Sequence, residues 1–142
     1  MQTLTVSVEH LTDDGLEYLL QRLCGLGERT LADWTYFGPI IEENGIELAY
    51  SEDHAEWDAS IGDRDELQYI TGTTARSAIG KLILKKHILE NSQNTYSLRM
   101  RLGEAVKFID RSHFSGTEVD LIVAETVDST GQSIVELNLL TA

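Results

Sequence analysis

A chain of 142 residues can bury one sizeable core, and with Cys24 as the single cysteine no intrachain disulfide is possible. The net charge of -13 repels phosphates over most of the chain, so free nucleic acid is not the expected ligand. No apolar run approaches a membrane span, and Met1 to Glu9 lacks the basic start and apolar run of a secretory signal. A single cytoplasmic domain over residues 1–142 is the expectation.

The charge is unevenly placed. Residues 1–75 hold three basic and sixteen acidic side chains, residues 76–111 eight basic and three acidic, and residues 112–142 five acidic and no basic ones. Such asymmetry marks either a partner-facing surface or a soluble, self-complementary one. Self-association into a homo-oligomer is expected where segment 76–111 of one copy meets segment 1–75 of another, with the C-terminal strand offering an edge.

Taken in order, Thr3 to Glu9 alternates apolar and polar residues, which predicts a half-buried strand. Thr12 is placed to cap a helix whose first turn holds Asp13 and Asp14, and Leu16, Leu19, Leu20 and Leu23 follow at helical spacing. Cys24 sits in this Leu-rich run and reads as a small buried hydrophobe. Gly38-Pro39 breaks the chain, and Ile40-Ile41, Asn44-Gly45 and Ile46 to Tyr50 then predict a hairpin. Ser51 to Asp65 reads as an acidic surface loop, with room for a short strand near Trp57.

Leu67 to Ile70 is a strand or turn. Thr73 or Thr74 caps a second helix, with Ala75, Ala78, Ile79, Leu82, Ile83 and Leu89 on one face and Lys81 and Lys85 towards the other. Gly80 weakens this helix by about 1 kcal/mol relative to Ala unless close packing requires it. Tyr96 to Leu102 and Ala105 to Ile109 predict strands. So does Val119 to Val123, followed by a turn at Asp128 to Gln132 and a final strand at Ile134 to Leu140, with Val135, Leu137 and Leu139 as its core row. The expected fold class is α+β: an antiparallel sheet with two main helices on one face.

The order Asp33-Trp34, Gly38-Pro39-Ile40-Ile41-Glu42, Ile46-x-Leu48 and Trp57-x-Ala59 resembles the small NinX-type accessory proteins of lambdoid phages, with Gly72, Thr74, Ala75 and Ala78 extending the match over residues 33–78. Phe37 stands where those proteins carry the first glycine of a Gly-Gly-Pro element. The resemblance implies a phage or prophage accessory protein. That family has no established activity, so no catalytic residue carries over.

Residue chemistry offers few alternatives. Glu52, Asp53, His54, Glu56 and Asp58 crowd one segment, but the calcium-loop glycine and terminal glutamate are absent, and a solvated acidic loop is the plainer reading. No nucleophile elbow, phosphate loop or dinucleotide fingerprint occurs, so neither catalysis nor a cofactor is expected. The aromatics Trp34, Tyr36, Phe37 and Trp57, with Asp33 beside them, are the candidate binding residues. The alternative for these aromatics is a loop that folds back to plug the sheet. Trp34 is expected in the core, because it precedes the Gly-Pro break, and Trp57 is expected to be exposed, because acidic residues flank it.

Two main functions fit. The first is a non-enzymatic binding protein that occupies a host protein, as a counter-defence inhibitor would. The second is a sequestering protein for a small nucleotide signal, in which the central aromatics stack and Arg76, Arg99 or Arg101 contact phosphate. A hydrolase built on the Glu52–Asp58 cluster is a remote third.

Overall fold

A computed structural model describes residues 2–62, 68–92, 95–113, 120, 124 and 133–141. The fold class is α+β. Among the described residues, however, the strands form two three-stranded sheets rather than one. They lie in two compact units, one comprising Met1–Gly15 and Ile88–Ala142, the other Leu16–His87.

In the first unit, β1 (Gln2–Ser7), β5 (Thr95–Arg101) and β6 (Ile134–Leu140) assemble in the order β1-β6-β5. Alternation drives this sheet. Val135, Leu137 and Leu139 are wholly buried and pair with Leu4 and Val6 on one side and with Leu98 and Met100 on the other. The β1–β6 pairing is parallel, which is possible because nearly the whole chain serves as the connection between them. β6 is therefore the central strand, hydrogen-bonded along both edges, so the C-terminal strand offers no edge for self-association.

The strand expected at Ala105 to Ile109 is instead a helix, α4 (Leu102–Lys107). Its buried residues Leu102, Ala105 and Val106 recur at helical rather than strand spacing. The end of α4 closes on the start of α1 (Asp13–Leu23). The Thr12 hydroxyl accepts from the Gly15 N–H at 3.1 Å and donates to the Lys107 carbonyl at 3.1 Å. The Thr12 N–H donates to the Phe108 carbonyl at 2.9 Å. Gly15 allows this approach, since a Cβ there would stand 2.6 Å from the Phe108 Cβ. The strand and turn expected within 119–132 lie outside the described residues, apart from isolated positions.

In the second unit, β2 (Glu47–Ser51), β3 (Glu56–Ile61) and β4 (Gln68–Gly72) form an antiparallel sheet. The expected acidic loop is thus mostly a hairpin, with only Glu52–Ala55 as its turn; Ala55 takes a left-handed φ of 52°. Leu48, Ala59 and Ile70 share one cross-strand row, and Ala59 and Ile70 are buried.

Helix α3 (Ala75–Ser92) is capped by Thr74, whose hydroxyl accepts from the Ser77 N–H at 3.1 Å. Residues Ser77 to Leu82 are buried in succession, so α3 has no open face there, and Lys81, expected towards solvent, is 7% exposed. Gly80 serves close packing: a Cβ there would come within 3.0–3.1 Å of Leu16 and Leu20 on α1.

The largest departure from expectation is residues 34–44. They form helix α2 (Trp34–Asn44), not the first arm of a hairpin. Buried Tyr36 and Phe37 and half-buried Ile40 and Asn44 lie along one side, whereas Thr35, Pro39, Glu42 and Glu43 are exposed. Asn44-Gly45 ends the helix rather than turning a hairpin. Gly45 adopts the left-handed conformation (φ 61°, ψ 41°); the Ile46 N–H donates to the Ile41 carbonyl, the longer bond of a Schellman cap, and the Gly45 N–H donates to the same carbonyl, the bond of the simpler left-handed cap.

Pro39 sits inside α2. A proline ring normally clashes with the Cβ of a preceding helical residue; Gly38 has none, so Gly-Pro lets the helix continue. The carbonyl of Thr35 still lacks the donor that a residue other than proline would supply. Pro39→Ala is therefore expected to stabilise the protein by about 1–2 kcal/mol, the restored bond outweighing the greater freedom of the unfolded chain. Urea unfolding measures this; a lowered midpoint would contradict it.

Candidate binding surface

The candidate residues meet where α2 begins. Asp33 is the helix N-cap: its carboxylate accepts from the Thr35 N–H at 3.0 Å and from the Thr35 hydroxyl, and lies 3.7 Å from the Arg29 guanidinium. The Thr35 hydroxyl, then the Thr35 N–H and Arg29, hold the Asp33 carboxyl below its ordinary range. Asp33 thus fixes the helix start.

The aromatics that follow separate by helix side. Phe37 is wholly buried and Tyr36 nearly so, which corrects their reading as surface binding residues. Trp34 is 46% exposed, which corrects its expected core placement. Its indole stands edge-on to Phe37, with centroids 5.9 Å apart, and Phe37 stands edge-on to Tyr36 at 5.0 Å. A buried ring thus braces an exposed one on a capped helix.

The Tyr36 hydroxyl donates to the Cys24 carbonyl at 2.5 Å. Burial pushes the half-buried Cys24 thiol up to about 12 from 9.0. Burial, followed by the neighbouring Cys24 charge, raises the Tyr36 phenol to about 12 from 10.0. At neutral pH Cys24 is a poor nucleophile. Both groups favour their neutral forms when folded, so their stabilisation is intact below about pH 9 and is lost as pH rises towards 12. Melting temperature should therefore fall through this window, and the fall should be shallower in Cys24→Ala; an identical profile would contradict the assignment.

Trp57 lies on β3, half-buried, rather than in an exposed loop. It pairs with Tyr50 across the hairpin, ring centroids 5.2 Å apart, and Tyr50 is 52% exposed. Tyr69, 56% exposed, points to the opposite face, in register with Ser60 and Glu47. Sequence reasoning missed both tyrosines as surface aromatics, although Tyr69 falls out of phase with buried Ile70. Arg76 is exposed in the first turn of α3, in the second unit. Arg99 and Arg101 are exposed on β5, in the first unit, where they pair with Glu136 and Ile134.

Among the described residues, no three His, Cys, Asp or Glu side chains gather to hold a metal ion. Glu52, Asp53 and His54 lie in the hairpin turn, and Glu56 and Asp58 alternate along β3. No helix among the described residues is long and apolar enough to cross a membrane. No family model matches the chain, and neither a curated protein nor a solved structure matches it.

Proposed function

We propose that this chain is a non-enzymatic binding protein of the phage or prophage accessory kind, acting in the bacterial cytoplasm by occupying a host protein as a counter-defence inhibitor. The observation that carries the reading is Trp34. A tryptophan with nearly half its surface open, on a capped helix and braced by buried Phe37, has large contact area and little ordering left to lose on binding. Binding anchors are enriched in such side chains. Exposed Glu42 follows just over two turns along the same helix, so the complementary partner surface is an apolar pocket with a basic group to one side. The order of residues 33–78, which resembles the NinX-type proteins, supports the phage setting.

Affinity capture from host lysate, with mass spectrometry of retained proteins and small molecules, tests the reading. The expected result is a host protein retained by the native chain and weakened by about 2 kcal/mol or more in a folded Trp34→Ala variant. Retention of a nucleotide alone, or of the same protein equally by both chains, would overturn it.

A further inference from the structure

Asn44-Gly45 is the chain's single Asn-Gly pair. This dipeptide is chemically reactive, because glycine leaves the following main-chain nitrogen unhindered. That nitrogen attacks the Asn44 Cγ, the Cγ–Nδ2 bond breaks, and ammonia departs with the proton from the Gly45 amide. Water then opens the cyclic imide at either carbonyl, leaving aspartate or isoaspartate. Atoms balance with water as the only co-reactant.

The fold restrains both reacting groups. The Asn44 side-chain amide donates to the Ile40 carbonyl at 2.9 Å, which turns the carboxamide towards the preceding helical turn. Its oxygen accepts from the Lys86 ammonium at 3.1 Å. The Gly45 N–H is held by the Ile41 carbonyl in the helix cap. Attack requires the nitrogen to come within about 3–3.5 Å of Cγ, over the plane of the carboxamide. The carboxamide must therefore turn away from the Ile40 carbonyl and the Gly45 nitrogen must leave the Ile41 carbonyl, while the Lys86 ammonium holds the carboxamide in its present orientation.

We propose that Asn44 is a deamidation site gated by the fold: silent in the closed α2 cap and reactive when the junction of α2 and β2 opens. The product is disruptive in either form. Aspartate replaces the donor facing the Ile40 carbonyl with an acceptor. Isoaspartate adds a main-chain methylene inside the cap that sets the start of β2 at Glu47. Reaction there records opening events at this junction.

The test incubates the whole protein in mildly alkaline buffer, with and without guanidinium chloride, and follows the tryptic peptide 30–64 for deamidation and isoaspartate. Asn91, Asn94 and Asn138, none followed by glycine, serve as internal references. The native rate is expected to be at least about tenfold below the unfolded rate, since reaction then proceeds only through local opening. In Lys86→Met, shown to be folded by its melting curve, the native rate should rise several-fold. Equal native and unfolded rates in the parent protein, or an unchanged native rate in folded Lys86→Met, would overturn the proposal. The native-to-unfolded comparison stands whether or not the variant folds.

Discussion

Phe37→Ala is expected to destabilise the protein by about 3–5 kcal/mol, a large part of typical folding stability. Phe37 has no exposed surface, stands edge-on to both Trp34 and Tyr36, and is the one wholly buried aromatic of α2. Truncation removes the burial of a full ring and leaves a cavity between groups that a cap and a Schellman ending hold in place. Urea unfolding should show a much lower midpoint with a similar slope, since the fold is weakened rather than rearranged. A loss under about 1 kcal/mol would mean that the side chain is not in a close-packed site.

Gly72→Val should also act strongly, through crowding. Gly72 closes β4, and a Cβ there would stand 2.6 Å from the Ala78 main-chain nitrogen, 3.0 Å from the Ala78 Cα and 3.1 Å from the Ser77 carbonyl carbon. All three atoms are backbone in the first turns of α3, where no side chain can swing aside. Valine suits strands in general, so β propensity alone favours the substitution. The clash opposes this and should dominate, costing about 3 kcal/mol. A melting temperature at or above that of the parent would show that α3 does not lie on the strand as described.

Much of the fold was legible in the sequence because its signals were local and agreed with one another. β1, β5 and β6 alternate, and the core row Val135, Leu137 and Leu139 followed from period alone. Thr12 and Thr74 cap the helices they precede. Misreadings arose where one signal has two meanings. Gly-Pro reads as a break, but a glycine before proline also removes the steric bar to a helix. Asn-Gly reads as a hairpin turn, but left-handed glycine equally ends helices. Tyr36, Phe37 and Ile40 also recur at helical spacing, a signal that the hairpin reading leaves unused.

The placement of Trp34 followed the same misreading. In a loop folded onto a sheet it would be core; at the first position of α2 it falls beside the buried stripe, nearly half exposed. Carboxylates flank Trp57 in sequence and suggest exposure, yet on a strand those neighbours face the other way and Trp57 is half-buried. The division of the strands into two sheets is a matter of long-range pairing, which no local pattern carries.

The measurement closest to the central claim, that Trp34 is held on the outside of α2, is acrylamide quenching of Trp34 fluorescence in a Trp57→Phe variant. Phenylalanine keeps an aromatic partner for Tyr50 and leaves Trp34 as the only tryptophan. Acrylamide is neutral, so the net charge of -13 does not repel it as it would iodide. The expected result is ready quenching and a red-shifted, water-like emission in the folded protein, changing little on unfolding. A blue-shifted emission, shielded until the protein unfolds, would place Trp34 in the core and contradict the account.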